Sequence, residues 1–379
     1  MSELLTKYAD LYRQRGPWCL AYVDASTGTV DSLEASEVQP DNVRNALTAQ
    51  EASEPDLDAM AEAIQPATGQ PSPVSRFVLV RDGATVINEL LPGPLVGGER
   101  ITRDAIPDLL PLMNHQPDAF PYVVAEVSRD EGEIRLHRAG KQETDESQYV
   151  HGSDETLKKV PSGGWSQGRY QHHTEEIWRR NADQVVEVID KVVRENRARL
   201  LVLAGDIRAR QLVADQLSEA SKAILRTVDS HTLAAGSDRE KFDDEIDSLV
   251  AQQWAADQQQ LMDRFAEQEG QPNPQSATGI GPVVQALQQA QVDVLIFDDQ
   301  ALSEHALLAL GAEPWIANSE EQALGAEILG KVPAPPALLR AAALTDARVQ
   351  LIPAPALPNG VTIAALLRWP VGPEAPAET

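Results

Sequence analysis

The hydrophobic period changes twice within one stretch of this chain, and little else limits the fold so much. From Thr174 to Asn196 the apolar residues Trp178, Val185, Val188, Ile189 and Val192 fall on one stripe, the spacing of an amphipathic helix. Glu175 and Glu176 would sit in its first turn, where the helix dipole favours acids. Leu200 to Ala204 is a short uninterrupted apolar run, the mark of a buried strand. Gly205-Asp206 then turns into a second helix from about Ile207. Helix, strand, turn and helix in that order give a sheet covered by helices, so the expected fold class is α/β.

The flanking regions extend the pattern. Leu20 to Asp24 reads as a strand, and helical spacing runs from Asp41 to Ile64 with a break at Ser53-Glu54-Pro55. Arg76 to Arg81 and Ala84 to Leu90 read as a hairpin across Asp82-Gly83. Tyr122 to Val127 and Glu133 to Arg138 read as another, across Arg129-Asp130-Glu131-Gly132. Lys141 to Gly164 is polar and predicts a long loop, a length often tied to function. Asp238 to Glu269 meets no Pro or Gly until Gly270 and predicts one long helix, ended by Gln271-Pro272-Asn273-Pro274. A helix over Pro282 to Ala290, a strand over Val292 to Phe297 and a terminal strand over Val361 to Trp369 follow, with a disordered tail from Pro370 to Thr379. At roughly 100–200 residues per domain, a chain of 379 residues holds two or three domains. The breaks give three α/β domains: an N-terminal one over 1–118, a middle one over 119–270 and a C-terminal one over 271–379, the long helix linking the second to the third.

Charge and cysteine usage exclude several functions. The formal charge is −26, with 58 acids against 32 Lys and Arg. Phosphate binding relies on Lys and Arg, so a protein that coats itself in nucleic acid is excluded, no DNA partner is expected, and any RNA contact must come from a local patch. The single cysteine, Cys19, can form neither an internal disulfide nor a cysteine metal site. Its apolar neighbours make it an inert core thiol rather than a reactive one. Met1 to Gly16 is polar and mixed in charge, unlike a secretory signal. No apolar run approaches the roughly 20 residues that span a bilayer. A cytoplasmic protein with no membrane partner is expected. There is no Walker A motif, so nucleotide hydrolysis by this chain is not expected, nor is a cofactor.

The local patch lies in Thr156 to Thr174. This window holds Lys158, Lys159, Arg169, His172 and His173 and no acid. At the chain's average density a window of this length would contain about three acids. A basic, acid-free stretch in an acidic protein is what a phosphate-facing loop requires. Gly163, Gly164 and Gly168 let a backbone approach a ligand closely. Trp165 and Tyr170 offer faces for base stacking. On the residues alone, a plain surface loop with Trp165 tucked onto its own domain remains an alternative.

Pro161-Ser162-Gly163-Gly164-Trp165-Ser166-Gln167-Gly168-Arg169-Tyr170, followed by Glu175-Glu176, resembles the middle-domain signature of the archaeal and eukaryotic peptide-release-factor/Pelota superfamily. That signature is Gly-Gly-Gln, then Ser, an Arg-aromatic pair and a Glu-Glu helix. The hairpin from Tyr122, the strand ending at Ala204-Gly205, the long helix out, and Gly279 with Val292-Asp293-Val294-Leu295-Ile296 follow the superfamily's order. The chain is most similar to its bacterial branch, and within that to Balon-type ribosome hibernation factors. The resemblance covers Pro121 to Phe297, and 1–118 by position only.

This resemblance implies a three-domain α/β fold. It also implies an occupant of the A site of idle 70S ribosomes that meets rRNA of the decoding and peptidyl-transferase centres and partners elongation factor Tu. The rRNA-binding residues it implies are Lys158, Lys159, Gly163, Gly164, Trp165, Ser166, Gln167, Gly168, Arg169, Tyr170 and His172. The chain departs from the signature where release chemistry is decided, because Trp165 stands in place of the Gln that helps position water on the peptidyl-tRNA ester. No catalytic residue is therefore expected. The enzymatic alternative is a peptidyl-tRNA hydrolase, release or rescue factor with Gln167 substituting. A third reading is an acidic stress protein that binds only proteins. No Asn-Ile-Lys-Ser stop-codon motif is present. Gly279-Ile280-Gly281 does not follow a strand and reads as a domain start, and Asp298-Asp299 as a turn cap. Adjacent His172-His173 cannot share a metal from one helix, so no metal is expected. Lys191, Arg194, Arg197 and Arg199 read as a solvated face, with rRNA contact the alternative.

Overall fold

The computed structural model describes residues 3–28, 30–67, 69–70, 72–115, 120–128, 131–139, 146–151, 167–229, 239–357 and 360–370. The class is mixed α/β, and the chain divides into two compact units, Met1–Asp118 with Leu261–Thr379, and Ala119–Gln260.

In the first segment, helix α1 (Glu3–Tyr8) leads through a 3-10 turn, Leu11–Arg13, into strand β1 (Trp18–Asp24). Helices α2 (Val30–Thr48) and α3 (Glu54–Ala63), strands β2 (Val74–Arg81), β3 (Ala84–Pro92) and β4 (Arg100–Asp104), and helix α4 (Leu110–His115) complete it. The strands form one antiparallel sheet in the order β3-β2-β1-β4. Strand alternation sends Cys19, Ala21, Val23, Val78 and Val80 to one face, where Val43 and Leu47 of α2 and Leu57 and Met60 of α3 cover them. The expected helix start at Asp41 is corrected: α2 begins at Val30 and carries Pro40 inside it. The break at Ser53-Glu54-Pro55 is a cap. Ser53 Oγ accepts the Asp56 N–H, and Pro55 occupies the first turn. Asp56 Oδ1 also accepts the N–H of Gly83, tying α3 to the expected hairpin turn at 2.7 Å.

The middle unit is a five-stranded sheet in the order β7-β6-β5-β8-β9. Its strands are β5 (Pro121–Val127), β6 (Glu131–Arg138), β7 (Glu146–His151), β8 (Leu200–Gly205) and β9 (Leu225–Thr227). β5, β8 and β9 run parallel, and β6 and β7 antiparallel. Helix α5 (Gln167–Asn196) packs Ala182, Val185, Ile189 and Val192 on one face with Val213 of α6 (Ile207–Gln216). A short helix, α7 (Glu219–Ala223), follows. Phe242, Ile246 and Val250 of the long helix α8 (Arg239–Glu269) cover the other face. Two expectations need correction here. The region read as a loop from Lys141 contains β7, which pairs with β6 and extends the sheet. The helix expected from Thr174 begins at Gln167, which leaves Glu175 and Glu176 beyond its first turn.

In the last segment come β10 (Ser276–Thr278), α9 (Ile280–Gln288), β11 (Val292–Phe297), β12 (Ala306–Leu310), β13 (Ile316–Ala317), β14 (Ile328–Pro333), α10 (Ala334–Leu344), β15 (Arg348–Leu351) and β16 (Ile363–Leu367). β16, the expected terminal strand, lies between β10 and β11, while β12 to β14 form a separate antiparallel sheet. One core joins this segment to the first. Trp18, Leu20, Tyr22, Phe77 and Leu79 pack with Val283, Leu287, Leu295, Leu338 and Ala341. Arg340, only 2% exposed, pins the join. It donates to the carbonyls of Tyr12, Leu310 and Trp315 at 2.9, 2.9 and 3.1 Å. The tail from 371 onward lies outside the described residues.

Candidate nucleic-acid interface

The patch predicted from sequence sits between two elements of the middle unit. β7 closes the sheet before it, and α5 begins within it, at Gln167. Lys158, Lys159, Gly163, Gly164, Trp165 and Ser166 fall outside the described residues. Gln167, Gly168, Arg169, Tyr170 and His172 lie in the first two turns of α5, so this half of the patch is helical rather than looped. A glycine inside a helix costs roughly 1 kcal/mol relative to alanine, which is why Gly168 reads as loop in the sequence. The first described buried positions of α5 are Asn181 and Ala182. At a rise of 1.5 Å per residue, Gln167 stands about 20 Å along the axis from them.

The strands β5, β6 and β7 of this sheet share a set of polar contacts. Glu126 is fully buried and pairs with Arg135, whose guanidinium also approaches Glu133 at 4.0 Å. Tyr149, 66% exposed, donates to Glu133 Oε1 at 2.9 Å. Tyr122 and His137 stack with ring centroids 5.1 Å apart. Burial, together with the nearby carboxylates of Asp247 and Asp243, pushes the Tyr122 hydroxyl up to about 12. The Glu126–Arg135 pair clamps β5 to β6, the strand next to β7, and sequence reasoning missed it. Its signal is a charged residue at inward positions of two paired strands, Glu126 beside the Val124–Arg135 register pair.

The second basic cluster divides. Lys191, Arg194 and Arg197 are exposed. Arg199 is structural: it pairs with Asp257 of α8 and lies 5.0 Å from the Phe120 ring. Asp298 acts as the expected cap, accepting the N–H groups of Gln300, Ala301 and Ala354, and these bonds hold its carboxyl below the usual range against the upward push of burial. Asp299 joins the two segments of its unit through Arg100 and Asn114. Gly279 does follow a strand, β10, against the expectation, and caps α9 at φ 81°. Cys19 is buried, and burial raises its thiol to about 11. Among the described residues no cluster of His, Cys, Asp and Glu is arranged to hold a metal, and no helix is long and apolar enough to cross a membrane.

Residues 121–271 match the model of bacterial archaeo-eukaryotic release factor family 2. The match spans the patch, the β5–β6 hairpin, β8 and α8, and over this stretch it agrees with the superfamily resemblance read from the sequence. No curated protein matches the chain. Among solved structures, the archaeal translation termination factor aRF1 aligns at 15% identity over 97% of this chain and 96% of its own, with a TM-score of 0.26. Dom34 of S. cerevisiae, a translation termination-like factor, aligns at 11% identity over 79% and 80%, with a TM-score of 0.42. A ribosome-bound archaeal Pelota aligns at 14% identity over 98% and 95%, with a TM-score of 0.42.

Proposed function

We propose that the protein binds ribosomes as a non-catalytic occupant of the A site of idle 70S particles, a hibernation factor. The family match over 121–271 supports this reading, and Gly163-Gly164-Trp165, which resembles the release-factor tripeptide, falls within it in the sequence just ahead of α5. Trp165 stands where the water-positioning Gln belongs. Indole presents no amide to an attacking water, and its bulk would compete with that water. The patch then serves for affinity, with Lys158, Lys159 and Arg169 facing phosphates and Trp165 and Tyr170 facing bases of rRNA. Elongation factor Tu is the proposed protein partner, and the cytoplasm the proposed location.

Purified protein should co-sediment with vacant 70S ribosomes and displace A-site tRNA, while releasing little or no peptide from ribosome-bound peptidyl-tRNA. Equal tRNA retention with and without saturating protein would sink the A-site reading. Single-turnover release at the rate of a genuine release factor would overturn the non-catalytic one and make Gln167 the first residue to substitute.

A further inference from the structure

The small sheet of the last segment turns one face inward and leaves an apolar knob on the other. Leu307, Ala309, Ile316 and Val332 enter the core shared with the first segment. The opposite face carries a small cluster of its own: Leu310, Ala317 and Ala323, with Leu308 and Ala326 half-buried around them. At its margin Ile328 is 39% exposed, and Leu324 is 80% exposed.

Leu324 is doubly out of place. It is a large apolar side chain in open solvent, and its backbone is left-handed at φ 52° and ψ 29°, where Gly or Asn is favoured. Gly325, beside it, is also at positive φ. Leu324 is the most exposed large apolar residue among those described, and with Ile328 four residues on it offers a partner an apolar anchor.

The surroundings define the partner's chemistry. From Gly311 to Gly330 the sequence holds four acids, Glu313, Glu320, Glu321 and Glu327, and no Lys or Arg. All four are exposed. Glu327 is paired with Arg15 at 2.6 Å, and the other three lack an ion-pair partner among the described residues. Such a lobe is repelled by phosphate and complements a cationic protein surface.

We infer that Leu324 and its acidic rim dock on a basic protein surface bearing an apolar pocket, which on the ribosome is a ribosomal protein and not rRNA. The inference rests on the ribosome-binding reading above and assigns the lobe a contact that the patch of the middle unit does not make.

Leu324→Asn separates binding from folding, since Asn suits a left-handed turn. The full-length variant should melt at or above the wild-type temperature, yet bind purified 70S ribosomes roughly tenfold more weakly. A photo-crosslinking benzoylphenylalanine in place of Leu324 should label a ribosomal protein in the same complex. Undiminished binding of Leu324→Asn, a crosslink confined to rRNA, or no crosslink in a complex that still co-sediments would each overturn the inference and leave the ribosome reading standing. Failure of the wild-type protein to co-sediment at all would overturn both.

Discussion

Arg340 is a guanidinium buried with three backbone carbonyls and no carboxylate among the described residues. Burial lowers it from the ordinary guanidinium value to about 10, against the upward pull of Tyr12. Its folded value lies below its unfolded one, so between those values the unfolded chain binds more protons. This group's contribution to stability is therefore lowest below about pH 10 and rises with pH above it. Tyr12 is raised well above 10 by its burial and contributes in the opposite sense, its stabilising share falling as pH climbs past 10. At neutral pH the three hydrogen bonds offset the cost of burying the charge. Arg340→Met removes three hydrogen bonds from a buried site, although the Trp315 carbonyl keeps the Leu310 N–H, and should cost about 2–3 kcal/mol. Urea unfolding followed by tryptophan fluorescence checks this, and an unchanged midpoint would show that the carbonyls find water instead.

At the scale of the element, Gly205 ends β8 at φ 112°, and a Cβ there would stand 1.9 Å from the Val127 carbonyl oxygen. The same oxygen accepts the Asp206 N–H at 2.9 Å, and Asp206 caps α6 through the N–H groups of Arg208 and Ala209. Gly205→Ala should destabilise the middle unit by about 2 kcal/mol or more, since strain and clash add. Asp206→Ala, losing a cap alone, should cost about 1 kcal/mol. Thermal melts of the two variants would rank them, and a reversed order would refute the close-approach argument. This strand–turn–helix was legible in sequence because each piece has one readable period and a chemically defined turn. Other elements were not. Ala334 to Ala343 of α10 is buried throughout, so no polar face marks its period, and its prolines read as loop although they suit a first turn. β13 is two residues long, too short for any alternation to register. In the candidate site, the basic composition and the Gly-Gly motif were readable. The helical state of Gln167 to His172 was not, because Gly168 and the polar run before Thr174 argue locally for a loop and only the rest of α5 overrides them.

For the whole molecule, a net charge of −26 must be reconciled with the proposed rRNA contact. Screening over about 8 Å at physiological salt weakens the distant repulsion, while phosphate contacts act within that range. Replacing Lys158, Lys159 and Arg169 together should weaken ribosome binding and flatten its salt dependence. Trp165→Ala should weaken binding by roughly 1–3 kcal/mol with the salt slope unchanged, because stacking releases no counterions. Filter binding across a salt series reads both, and wild-type affinity and slope in the triple variant would remove the patch from the interface. The shared core sets a second expectation. Residues 1–118 made alone would expose the face of β1 and β2 that packs on α9 and α10, so they should remain unfolded by circular dichroism, whereas 119–260 should fold. A cooperative melt of 1–118 alone would show three independently stable domains.

Arg199 touches Phe120 at the start of the middle unit and Asp257 near its end. The two ends of this unit are therefore within one guanidinium's reach of each other, although well over a hundred residues of chain run between them. A segment whose ends meet can be gained or lost by recombination in a single event without tearing the host around it. The middle unit thus has the geometry of an inserted domain, because its ends meet and the core shared by the flanking segments draws no residue from it.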